Sequence, residues 1–84
     1  MAITGYKVHP KLIIIQLDNN QYIELYKHCE HYPHMRFIDN FGGSCGEIRL
    51  YGMESVGYML WLIGGLNYEQ IDDIIYQYVG LEER

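Results

Sequence analysis

Residues 67–79 set Asn67 and Gln70 three positions apart at the head of an apolar stripe formed by Ile71, Ile74, Ile75, Tyr78 and Val79. An asparagine at a helix N-cap accepts from the amide three residues on, and a glutamine at that position reaches back to the cap's own amide, so this pair predicts where a helix begins. The spacing of the stripe predicts which face that helix buries. One apolar face needs a partner surface, and residues 11–17 (Lys-Leu-Ile-Ile-Ile-Gln-Leu) offer one. They are rich in β-branched residues and too few for a typical helix, which predicts a strand buried on both faces or nearly so.

Asp18 follows as a candidate N-cap, and Tyr22, Leu25, Tyr26, Cys29 and Tyr32 recur at spacings of three and four, with Glu24, Lys27, His28 and His31 opposite. This periodicity predicts a helix that closes ahead of Pro33. A competing reading makes Asn19-Asn20 a tight hairpin turn and residues 21–27 a returning strand, because asparagine tolerates the positive φ of such turns. The periodicity favours the helix.

Residues 35–41 and 47–51 alternate partially and flank Gly42-Gly43-Ser44-Cys45-Gly46, which predicts two strands joined by a glycine-rich turn. Residues 54–63 have helical length, almost no polar residue after Ser55, and a stop at Gly64-Gly65. The expected fold class is therefore α+β. It has a three-stranded sheet (four-stranded on the hairpin reading), mixed or antiparallel, with two C-terminal helices packed on one face and one helix after the first long strand. The 84 residues contain no repeat, low-complexity tract or linker, so residues 1–84 are expected to form one domain. A domain of this length buries roughly 60–65% of the surface that its unfolded chain exposes.

The first residues lack a basic stretch followed by an apolar one, and the apolar run at residues 12–17 is too short to cross a membrane, so a cytoplasmic protein is expected. Cys29 and Cys45 are expected to be reduced thiols there. Net charge is −5, and it is unevenly placed. Five bases and five acids cancel up to residue 52, whereas Glu69, Asp72, Asp73, Glu82 and Glu83 face only Arg84 at the C-terminal end. Without a basic stripe, direct nucleic-acid binding is not expected, whereas a partner protein with a basic surface is.

Candidate chemistry is sparse. Residues 42–46 match G-x-S-x-G, but a nucleophile elbow runs from strand into helix and here a strand pattern follows, so Ser44 is not read as catalytic. The same turn offers backbone amides to an anion through Gly42 and Gly43, with Arg36 and Arg49 as nearby cations. His28, Cys29, His31, His34 and Cys45 have donor atoms suited to zinc, yet a helix would divide them between two faces, so no metal is expected. No cofactor is expected either. Nine tyrosines and Trp61 exceed what a small core easily hides, and residues 58–63 are apolar all round their helix. That helix is either central to the fold or meets another protein, with Tyr58, Trp61 and Leu62 as candidate self-association residues in a homodimer.

Glu69, Asp72, Asp73 and Tyr76 fall opposite the isoleucine stripe and form a candidate partner-binding face. The expectation is a non-enzymatic protein-binding module, of the kind a phage or other mobile element uses to occlude a host defence protein. The alternative is an oligomer that sequesters a small nucleotide-like anion at the glycine-rich turn.

Overall fold

The computed structural model describes residues 1–27 and 32–83. Five strands, β1 (Ile3–Val8), β2 (Leu12–Leu17), β3 (Tyr22–Lys27), β4 (Pro33–Ile38) and β5 (Ser44–Arg49), precede two helices, α1 (Met53–Ile63) and α2 (Tyr68–Val79). The strands form one antiparallel sheet in chain order, β1-β2-β3-β4-β5. The α+β class and the pair of C-terminal helices on the sheet agree with the sequence reading; the number of strands does not.

The expected helix after β2 is a strand. Asn20 adopts φ 64, the left-handed conformation a tight turn requires, and the chain returns as β3 between β2 and β4. The misreading has a physical source. Ile23 and Leu25 are buried against the helices, while Tyr22 and Tyr26 lie on the opposite face, where Tyr26 is also buried. A strand apolar on both sides loses its two-residue period and imitates a helical one. Cys29, which belonged to that expected helix, lies outside the described residues.

β1 is the other strand absent from the expected sheet. Its alternation is poor and interrupted by a bulge between Ile3 and Gly5, so it owes its conformation to pairing with β2. Pro33 opens β4 rather than ending a helix, as suits a residue with no amide to give. The turn in the following hairpin occupies residues 39–43, so Ser44, Cys45 and Gly46 belong to β5 and not to the connection.

Ile13, Ile15, Ile23, Leu25 and Met35 project from one face of β2, β3 and β4, and meet Val56 and Leu60 of α1 and Ile71, Ile74 and Tyr78 of α2. Each aliphatic side chain removed from water there contributes about 1.5–3 kcal/mol. The two helices run antiparallel. Gly57 lets α1 approach α2 closely, since a Cβ at that position would sit 3.2 Å from Ile75 Cδ1. α1 ends beside β1, where the Ile3 amide donates to the Gly64 carbonyl at 2.8 Å. α2 begins with the expected capping box between Asn67 and Gln70. It ends near the other end of the sheet, where Lys27 Nζ donates to the Val79 carbonyl at 2.7 Å.

Candidate binding surfaces

α1 is not central. Val56 and Leu60 are buried, while Tyr58, Trp61 and Leu62 are 61%, 54% and 53% exposed on the opposite side. The Tyr58 and Trp61 rings stack with centroids 6.4 Å apart and planes inclined by 29°. Stacking at a spacing of three residues holds both rings on one side of the helix and lowers the freedom that binding would otherwise remove. Beside Tyr58 a groove of about 520 Å³ opens between Leu50, Glu54, Ser55 and Met59.

Of the four residues expected to form an acidic face on α2, the structure keeps three for solvent. Glu69, Asp72 and Tyr76 are exposed. Asp73 is drawn to the edge of the sheet, where its Oδ2 accepts from the Tyr6 hydroxyl at 2.6 Å. That bond to a carboxylate raises the Tyr6 pKa, with burial and the negative charge adding to it. Because both helices cover the same face of the sheet, their solvent sides make one surface, on which Tyr58, Trp61 and Leu62 of α1 join Glu69, Asp72 and Tyr76 of α2.

The glycine-rich turn is organised around an anion that the chain itself supplies. Asp39 Oδ1 accepts from the amides of Phe41 at 2.8 Å and Gly43 at 2.9 Å, and the Gly42 amide donates to the Asp39 carbonyl at 3.1 Å. Gly42 has φ 85, and a Cβ on Gly43 would press within 3.1 Å of the Asp39 carboxylate. The amides proposed to greet a ligand are therefore turned inward. Arg36 and Arg49 are not gathered at this turn. Arg36 lies 3.5 Å from Glu24 and over the Tyr26 ring, and Arg49 lies over the rings of Tyr32 and Tyr51.

These two arginines belong to a polar network on the sheet face away from the helices, which sequence reasoning missed. Glu47 Oε1 accepts from the Tyr26 hydroxyl at 2.5 Å and lies 3.0 Å from His34 Nδ1. The Tyr26 bond, then His34, holds the Glu47 carboxyl below its usual range, while burial and this same carboxylate raise the Tyr26 pKa. The signal was present as His34 and Arg36 on one strand and Glu47 and Arg49 on the next, each pair two residues apart. The network joins β3, β4 and β5 through Tyr26, His34 and Glu47, and it suits fixing the three strands together.

Of the zinc donors considered, His28, Cys29 and His31 lie outside the described residues, and Cys45 donates to the Phe37 carbonyl at 3.4 Å. Among the described residues no cluster of three metal-binding side chains occurs, and no helix is long and apolar enough to cross a membrane. Compared with protein-family models, curated proteins and solved structures, the chain finds no significant match in any of the three.

Proposed function

We propose that this chain is a non-enzymatic protein-binding module that docks its partner on the outer surface of the helical layer. The observation that carries the reading is the stacked, half-exposed Tyr58–Trp61 pair with Leu62 beside it, on a helix whose other side is already packed into the core. Large rings held in place at low entropic cost are the usual anchors of protein interfaces. Carboxylates surround them. Glu54, Glu69 and Asp72 are exposed on the same layer and neither helix contains a lysine or arginine, so the partner that fits is basic around an apolar pocket. Such a module acts by covering a surface its partner needs, and the small size and acidic balance suit an inhibitor encoded by a phage or other mobile element against a host protein.

Capture of a stoichiometric partner from host lysate by the wild type, and its loss in the doubly substituted Tyr58→Ala/Trp61→Ala chain with unchanged circular dichroism, is the expected result. Glu69→Gln/Asp72→Asn should weaken capture mainly at low salt, because rim charges steer association. Equal capture by the wild type and the alanine variant would discard this surface.

A further inference from the structure

The groove of about 520 Å³ beside α1 is walled by Leu50, Ser55 and Met59, and Glu54 and Tyr58 line it with them. Glu54 and Tyr58 are four residues apart, one turn along the helix, so their side chains are neighbours. Trp61, a further turn on, stacks against Tyr58 with ring centroids 6.4 Å apart and does not line the groove. One face of the Tyr58 ring is thus turned to Trp61, and the face that remains borders the groove on the side of Glu54. Glu54 is exposed, and among the described residues no hydrogen bond or ion pair engages its carboxylate.

From this geometry we infer that the groove takes an arginine side chain of the partner, with its guanidinium on the open face of Tyr58 and its N–H groups donating to Glu54. The inference rests on the docking of a basic partner at the helical layer and names one contact within it. The groove selects this occupant by its chemistry. An anion is repelled by Glu54, and an uncharged apolar group would expel water from a carboxylate and give it no partner in return. A cation gains from the carboxylate and from the ring quadrupole together. Leu50, 7% exposed, and half-buried Met59 add an apolar wall, which suits a charge carried at the end of a methylene stem.

Arginine fits this wall and ring better than lysine. Its plane lies flat on an aromatic face while its edge donates to a carboxylate, whereas an ammonium is a compact, strongly hydrated point charge. The Ser55 hydroxyl can accept a further guanidinium N–H. The place of Glu54 makes its carboxylate decisive. It lies in the first turn of α1, where the helix dipole presents its positive end, so the pull on a cation depends on this one side chain.

Titration of the full chain with N-acetyl-arginine N-methylamide, followed through the NMR signals of the Leu50 and Met59 methyl groups and the Tyr58 ring, tests the site. The expected result is a set of saturable shifts confined to the groove, in the millimolar range that suits one side chain at an open site, and weakened by added salt. The citrulline analogue, which keeps the shape and lacks the charge, should bind about tenfold more weakly. Glu54→Gln should weaken arginine binding about fivefold. Tyr58→Leu, which keeps an apolar wall, should weaken it about threefold. Both variants should retain the wild-type circular dichroism. Groove signals that ignore the arginine probe overturn the inference. So does equal binding of the citrulline or lysine analogue, or wild-type affinity in Glu54→Gln. If partner capture depends on Tyr58 and Trp61 while the probe is ignored, the docking surface stands and the arginine site falls. Binding of the probe together with undiminished capture by Tyr58→Ala/Trp61→Ala would instead sink the docking surface, and the assignment of the arginine to that partner with it.

Discussion

The Tyr6 hydroxyl donates to Asp73 Oδ2 at 2.6 Å and thereby ties edge strand β1 to the middle of α2, 67 residues later in the chain. A bond to an ionised acceptor at a partly exposed site is worth about 1–2 kcal/mol. Tyr6→Phe should lower stability by about that amount in urea unfolding. Because Asp73 is engaged in this way, Asp73→Asn should reduce partner capture much less than Glu69→Gln/Asp72→Asn does. Equal losses in capture would mean that Asp73 is part of the docking surface after all.

The α2 C-terminus has no basic residue in its last turn, and Lys27 of β3 fills the role from outside the helix. Its Nζ donates to the carbonyls of Val79 at 2.7 Å and Leu81 at 3.1 Å, and lies 5.4 Å from the centre of the Tyr78 ring. A cation at the negative end of a helix contributes about 0.3–1 kcal/mol when exposed and up to about 2 kcal/mol when partly buried. Lys27→Met should therefore cost about 1–2 kcal/mol, with a smaller difference from the wild type at high salt. A thermal melt at two ionic strengths reads both effects.

Gly64 and Gly65 both have positive φ, 88 and 97, yet they should differ in tolerance. A Cβ on Gly64 meets open space, so Gly64→Ala carries only the cost of the left-handed conformation, about 1–2 kcal/mol. A Cβ on Gly65 would collide with the backbone of Ile3, which cannot retreat without losing its bond to Gly64. Gly65→Ala should thus be the more damaging substitution by about 2 kcal/mol or more, and denaturant midpoints of the two variants compare them directly.

Burial pushes the Tyr78 pKa up from 10.0 to about 12. The folded state holds this proton more tightly than the unfolded chain, so its contribution to stability is complete below pH 10.0 and is lost as pH rises toward about 12. Among the described residues its hydroxyl has no hydrogen-bond partner. Tyr78→Phe should leave neutral-pH stability unchanged or raise it by up to about 1 kcal/mol, because it deletes a desolvated polar atom and keeps the ring. It should also flatten the fall in melting temperature in the alkaline range. A loss of more than about 1 kcal/mol at pH 7 would show that the hydroxyl is satisfied in solution.

Local chemistry decided several elements before any tertiary contact existed. The Asn67–Gln70 capping box and the stripe through Ile71, Ile74 and Tyr78 specify α2, because cap and periodicity act within a few residues. Residues 54–63 were legible as a helix, and the glycines after Phe41 as a turn between two strands. The acids of α2 were likewise readable as one face, since helical geometry alone puts Glu69, Asp72, Asp73 and Tyr76 together.

Tertiary structure decided what local pattern left open. β3 is central to the sheet and carries tyrosines on the face opposite Ile23 and Leu25, so its sequence suits two periods, and pairing with β2 and β4 selects one. β1 is specified by its neighbour more than by its own residues. Whether Asp73 is free or held depends on Tyr6, and whether the glycine-rich turn is open or filled depends on Asp39. The Tyr6 bond spans 67 residues, a separation at which local propensity has no influence. The exposure of Tyr58 and Trp61 was decided in the same way: an all-apolar helix can be buried or half-bare, and only the side on which α2 and the sheet pack against α1 determines which rings remain for a partner.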